Sequence, residues 1–367
     1  MKRKKVSELA KQIRGVSYKT EDLHENLDEN SVTLLRANNI FEGRINFDDV
    51  VYVDKSRVAR EQYLCKGDIL VCASSGSKQL VGKAASFNFD TECTFGAFCK
   101  VVRPNQDVAN YLSMYFQSNA YRRKISEVAI GANINNIRNE HIDALELPIG
   151  SNAENEKVVA SFSLLQQIID GRKQQLHKLD ELIKSRFIEL FGDPVINPKR
   201  FPCYTVGEVI DFQGGSQPDK KYFEYEASPD NIRLIQIRDY KSDKYITYIP
   251  KTMAKRFCTA DDIMIGRYGP PIFQILKGIE GSFNVALMKA TPKIGNKEFV
   301  RQFLKQDCLL EYLEGLSKRT AGQDGIQMDK LKAYPFPYPP IELQEQFAAF
   351  VEQTDKSKLC GKIGVAA

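Results

Sequence analysis

The side chains equipped for chemistry in this sequence are hydrogen-bonding groups carried on loops. Asn38, Asn39, Arg44, Lys78, Gln79 and Lys83 lie between short apolar runs of the first half. Gln217, Gln236, Arg238, Lys241, Arg267, Tyr268 and Gln274 lie in the same way in the second. Arg and Lys match the acceptor edge of guanine, and Asn and Gln the mixed edge of adenine, so these types suit a nucleic-acid surface. Phosphate contacts would set affinity and register, and only a few of the set would specify a base. The plain alternative for most of them is a solvated loop.

A catalytic constellation is not found. His24, His141 and His177 are far apart, with no Ser or Cys setting that suggests a triad. The eight cysteines, at 65, 72, 93, 99, 203, 258, 308 and 360, form no C-x-x-C, which argues against a zinc site or a disulfide framework and fits a reducing cytoplasm. The run Gly76 to Ala84 imitates a phosphate loop. It has one residue too many between its glycines and no Ser or Thr after the lysine, so nucleotide binding is not expected. There is no convincing acidic-lysine set for a metal nuclease and no Asn-Pro-Pro-aromatic run. No metal or cofactor is expected in this chain.

The loops hang on short strands. Val32 to Arg36, Arg44-Ile45, Val50 to Val53, Ile69 to Cys72 and Gly96 to Val102 read as strands, with Lys66-Gly67-Asp68 a tight turn into the fourth. One or two helical turns are expected within Val6 to Gly15, and a helix over Ala109 to Ile125. In that helix Tyr111, Tyr115 and Tyr121 are expected in the core and not as base-stacking platforms, and Phe303 likewise in the second half. Pro218-Asp219 and Pro229-Asp230 read as turns.

This order recurs. Leu34 to Asn39 lines up with Leu234 to Asp239, Gly67 to Leu70 with Asp261 to Met264, and Phe95 to Pro104 with Phe283 to Pro292 without a gap. Tyr111, Tyr115 and Ile125 fall on Phe299, Phe303 and Leu313, and Ile137 to Pro148 on Ile326 to Pro337. Val158 and Phe162 then fall on Phe347 and Val351. Six weak matches in one order at nearly constant offset make a duplicated domain.

Between the copies runs a heptad pattern of Val158, Phe162, Leu165, Ile169, Leu176, Leu179, Ile183 and Leu190, with Arg172 and Arg186 in two apolar places. Ser151 and Glu154 form a capping box before it, and Phe191-Gly192-Asp193-Pro194 ends it. About 40 residues at 1.5 Å each make a rod of about 60 Å. A second, shorter helix is expected from about Glu342 to Lys358, apolar at Leu343, Phe347, Phe350 and Val351, before an unstructured tail. It should cover the rod near Val158, Phe162 and Leu165. That would leave Leu176, Leu179, Ile183 and Leu190 for a second copy of this chain or a partner helix.

The composition is globular: 367 residues, 43% hydrophobic and 27% charged, with net charge +5 and no apolar run long enough for a membrane span. The start, Met1-Lys2-Arg3-Lys4-Lys5, lacks the apolar core of a secretory signal. The expected fold is α/β (α+β): two duplicated strand-rich domains, 1–150 and 193–340, joined by a coiled-coil-type helix over 151–192, with a short helix and tail over 341–367.

The chain resembles the specificity subunit of type I restriction-modification systems. The resemblance rests on Tyr338-Pro339-Pro340-Ile341-Glu342-Leu343-Gln344-Glu345-Gln346-Phe347, on Leu190 to Pro194, and on Asp262 to Gly269 followed by Phe283 to Leu287. It implies two target-recognition domains, each reading part of a split double-stranded DNA site, with the helices as a ruler. It implies as partners the adenine methyltransferase (modification) subunits and an ATP-dependent restriction subunit, with ATP and S-adenosylmethionine bound there. The chain itself would be non-catalytic and cytoplasmic. The alternatives are a stand-alone metal-dependent nuclease and a coiled-coil adaptor that binds no DNA.

Overall fold

The computed structural model describes residues 2–76, 80–131, 136–268, 271–317 and 325–366. It is mixed helix and strand. Two compact units, Met1–Ile168 and Ile169–Ala367, are joined by one continuous helix of 40 residues, Asn152–Phe191.

In the first unit an antiparallel sheet runs in the order Ala10–Arg14, Cys99–Pro104, Ile69–Cys72, Ala84–Ser86. A second sheet sets Ser31–Leu35 between Cys93–Phe95, which is parallel to it, and antiparallel Val51–Asp54. The second unit repeats both. Ile210–Gly214, Leu287–Pro292, Ile263–Gly266 and Gln274–Lys277 follow in the same order. Asn231–Ile235 stands between parallel Gly281–Phe283 and antiparallel Tyr248–Pro250. The registers agree as well: Phe95 pairs with Leu35, and Phe283 with Ile235. The duplication is therefore one of topology and register.

Burial explains the strands. Ile69 to Cys72 and Ile263 to Gly266 are buried on both faces, and such strands read as continuous apolar runs. The turn before the first is held by Asp68, whose carboxylate accepts from the Cys65 amide at 2.8 Å and pairs with Arg103. Tyr111, Tyr115, Tyr121 and Ile125 are core, and so are Phe299, Phe303 and Leu313, which match Tyr111, Tyr115 and Ile125. The strand expected over 96–102 begins only at Cys99, after a separate strand before Gly96. Cys93–Phe95 belongs to one sheet and Cys99–Pro104 to the other, and the chain changes sheets through residues 96–98. The helix expected over 109–125 breaks at Ser118, whose hydroxyl accepts from the Tyr121 amide and starts a second helix. Within Val6 to Gly15 only Val6–Leu9 is helical, and Ala10–Arg14 is an edge strand.

The capping box forms at the start of the long helix, where Glu154 accepts from the Ser151 amide at 2.8 Å. At its end Gly192 takes φ +77°, and a Cβ there would lie 2.5 Å from Pro198, so only glycine turns the chain out so tightly.

The terminal helix is longer than expected, Ile341–Ala366, and it covers the other end of the rod. Phe347 packs edge-on to Phe187 and Phe191 with ring centroids 5.6 and 5.4 Å away, and Lys358 reaches Asp180 at 2.7 Å, so the two helices run antiparallel. Ile183, Phe347 and Val351 are buried in this core with Leu190 against it, while Leu165 is 59% exposed. The expectation that Leu176, Leu179, Ile183 and Leu190 await a partner while Val158, Phe162 and Leu165 are covered by the second helix is thus corrected. Chain connectivity is the cause. The strand Pro335–Pro337 ends on the second unit, and Gly192 to Pro194 delivers the rod to that same unit. Val158 packs on its own unit's core, Phe162, Ile169, Leu176 and Leu179 are half-buried, and Leu164, Leu165 and Ile168 are exposed. No helix among the described residues is long and apolar enough to cross a membrane.

Candidate nucleic-acid interface

In each unit the ends of several strands are drawn to one place by backbone hydrogen bonds. In the first, Val16 donates to the Phe95 carbonyl at 2.8 Å, Gly96 to Leu35 at 3.0 Å and Ala73 to Phe98 at 2.9 Å. In the second, Ser216 donates to Phe283 at 3.1 Å, Asn284 to Ile235 at 3.0 Å and Arg267 to Ala286 at 2.9 Å. A glycine permits the approach in both. A Cβ on Gly15 would strike the Gly96 carbonyl, and one on Gly215 the carbonyl of Asn284. Single bridges close the arrangement, Ser74 to Asn136 and Tyr268 to Gly325.

In the first unit this convergence leaves a cavity of about 570 Å³, lined by Ser17, Tyr18, Arg36, Asn38, Ser74 and Phe98 among others. Phe98 is 72% exposed at its edge. Such a mix of an aromatic, a guanidinium, an amide and hydroxyls can stack on a base and exchange hydrogen bonds with its edge.

The turns carrying the polar groups are built alike. Asn39 accepts from the Arg36 amide through Oδ1 at 2.8 Å, and Asp239 accepts from the Gln236 amide through Oδ2 at 3.1 Å. Both are buried, and Asn39 also donates to the carbonyls of Asn46 and Asp49. Asn39 is therefore corrected as a base-reading candidate, because its amide is spent on the turn. Burial holds the Asp239 carboxyl above its ordinary range, and its Oδ1 has no hydrogen-bond partner.

The other expected residues sort by place. Asn38 is exposed on the cavity wall, and Lys83, half-buried just before the strand Ala84–Ser86, is not among the residues lining it. Arg44 sits on the hairpin Ile40–Phe41 with Arg44–Ile45 and is not among the residues lining the cavity. Lys78 and Gln79 lie outside the described residues. In the second unit Gln236 and Arg238 come together, both donating to the Thr247 hydroxyl, at 3.1 and 3.0 Å. The Arg267 guanidinium lies 5.3 Å from the Tyr268 ring centre, and Tyr268 is exposed. Gln274 stands opposite Gly266 and donates to the Pro271 carbonyl at 2.9 Å. Gln217 follows the glycine contact and is exposed, as is Lys241 after the Gln236 turn.

Sequence reasoning passed over Ser17, Tyr18, Arg36, Ser74, Phe98, Asp49 and Thr247. The repeat held the signal for two of them, since Arg36 aligns with Gln236, and Ser74 with Tyr268. Among the described residues no group of three or more His, Cys, Asp or Glu is placed to hold a metal ion. Burial pushes the Cys258 thiol up to about 11, and Cys72 and Cys99 also upward, which keeps these thiols unreactive.

Comparison with known proteins gives the following likenesses. A family profile described as the type I restriction modification DNA specificity domain matches residues 198–362. The StySPI specificity subunit of a type I restriction enzyme from Salmonella potsdam is 38% identical over 95% of this chain and 80% of its own length. The EcoKI specificity subunit from Escherichia coli K12 is 27% identical over the same shares. Among solved structures, the S subunit of a type I restriction-modification system from M. genitalium aligns over 100% of this chain and 92% of its own. Its TM-score is 0.49 at 16% identity.

Proposed function

The chain belongs to the specificity subunits of type I restriction-modification systems, and from that premise we propose that each unit offers its cleft to double-stranded DNA and reads one part of a split target. The observation that carries this is the repeated backbone arrangement. In the first copy it walls a cavity bearing Arg36 and Asn38, and in the second it brings Gln236 and Arg238 together on Thr247. Two frames of the same topology with different donors and acceptors suit two different short sequences.

Methylation and cleavage fall to the partners, an adenine methyltransferase subunit and an ATP-dependent restriction subunit, so this chain binds no cofactor and makes or breaks no bond. It acts on DNA in the cytoplasm. The division of labour along the chain is 1–150 and 193–340 for recognition, and 151–192 and 341–367 for assembly. The exposed Leu164, Leu165 and Ile168 on the long helix are the apolar surface that assembly with a partner or a second copy would cover.

The test is to map methylated adenines made by the complex of this chain with its methyltransferase subunit. Arg238→Ala with Arg267→Ala should weaken discrimination at one half-site by about 1–3 kcal/mol per specific contact and leave the other half-site unchanged. Equal change at both half-sites would refute the two-cleft reading. Metal-dependent cleavage of DNA by the purified chain alone would refute the non-catalytic one.

A further inference from the structure

The polar side chains of the two clefts are not free rotors. In the first unit, Arg36 donates from Nη2 to Asp49 Oδ1 at 2.9 Å, and Asn38 donates from Nδ2 to Asp49 Oδ2 at 2.7 Å. Asn38 Nδ2 also reaches the Asp49 carbonyl at 3.1 Å. A carboxylate only accepts, so this contact fixes which end of the Asn38 amide faces Asp49. The Oδ1 of Asn38 is the atom left for a ligand. The Arg36 Nε is buried without a hydrogen-bond partner, and Arg36 and Asn38 both line the cavity.

The second unit solves the same problem with another residue. Thr247 is fully buried, and its hydroxyl accepts from both Gln236 Nε2 and Arg238 Nη2. Gln236 aligns with Arg36, and Arg238 with Asn38. Asp49 and Thr247 stand in equivalent segments, just before the strands Val51–Asp54 and Tyr248–Pro250. In each copy one acceptor ties down the same two positions.

We propose that Asp49 and Thr247 are positioning residues that set the base preference of the two clefts. Asp49 holds Arg36 and Asn38 in the first, and Thr247 holds Gln236 and Arg238 in the second. This rests on the reading of both clefts as DNA surfaces. Its chemical consequence in the first cleft is specific. With the Asn38 donor spent on Asp49, the free carbonyl selects a base that presents an exocyclic amino group, adenine or cytosine in the major groove. Removing the carboxylate frees Arg36 from its ion pair and leaves the Asn38 amide held by the Asp49 main-chain carbonyl alone, so discrimination falls while phosphate contacts persist. Asp49 is 73% exposed, so its ion pair with Arg36 contributes little to folding and its removal leaves the unit folded.

The experiment uses the complex with the methyltransferase subunit and a library of randomised target sites, read as the ratio of best to second-best base at each position. Asp49→Ala should lower that ratio roughly tenfold at one position of one half-site, the scale of a single good base contact. The other half-site should stay as it was, which also reports that the complex is folded. Thr247→Val should do the same to the opposite half-site, and Thr247→Ser, which keeps the acceptor, should restore it. Unchanged preference in Asp49→Ala, with altered preference in Arg36→Ala or Asn38→Ala, would overturn the positioning role and leave the cleft reading intact. Altered preference in Asp49→Ala alone would make Asp49 itself the base-contacting residue and overturn the proposal too. If no substitution at 36, 38 or 49 moves either half-site, the cleft reading itself fails.

Discussion

A single atom separates the two turns that frame the clefts. Asn39 and Asp239 accept the same backbone hydrogen bond, but Asp239 does it with a carboxylate that is buried and held above its ordinary range by desolvation. In the unfolded chain that group titrates near 3.8. Because the folded value is higher, the folded state binds more protons over the window above 3.8, and stability contributed by protonation is lost as pH rises through the folded value. Asp239→Asn copies the other turn and has nothing to titrate. Thermal melts between pH 3 and pH 7 should therefore show the variant gaining on the parent as pH rises, and a constant difference would contradict the burial argument. The sequence aligned these two residues but could not say that they face inward, because an Asx turn reads as a solvated loop until its cover is known.

At the scale of elements, period and punctuation were legible and partnership was not. The capping box at Ser151, the glycine stop at Gly192 and the buried strands Ile69–Cys72 and Ile263–Gly266 follow from local patterns, which depend on neighbours in sequence. Which half of a heptad seam is covered depends on where two distant segments are delivered, and that was read the wrong way round. Ile183 lies with Phe187, Phe191 and Phe347 in the core of the second unit, whereas Leu165 faces solvent. Ile183→Ala should cost about 2–5 kcal/mol as a cavity among those rings. Leu165→Ala should stay within about 0.5 kcal/mol. Denaturant midpoints on the purified chain decide it, and a larger loss for Leu165 would mean that the packing of the terminal helix is wrong.

For the whole molecule, the duplication was legible because six matches kept one order, and strand order and register repeat it. Half the cleft was not, because its walls come from segments far apart in sequence, such as Tyr18, Arg36, Ser74 and Phe98. With net charge +5, the chain's affinity for DNA depends on cations placed at its surface, so it should fall steeply with salt. Lys241 is exposed beside the Gln236 turn and suits a phosphate. Lys241→Ala should weaken binding to every sequence alike and reduce the slope of log affinity against log salt by about 1, with base preference untouched. A shift in preference would make Lys241 a base contact. The paired turns also bear on how such a protein changes over generations. Residues 39 and 239 hold the turns, while 36, 38, 236 and 238 make their side-chain contacts with Asp49 and Thr247. Substitutions at these four positions leave the backbone hydrogen bonds accepted by Asn39 and Asp239 in place. On the proposed reading, point changes at these positions carry a lineage from one recognised sequence to another, with the Arg-Asn and Gln-Arg pairs of this one chain as two such outcomes.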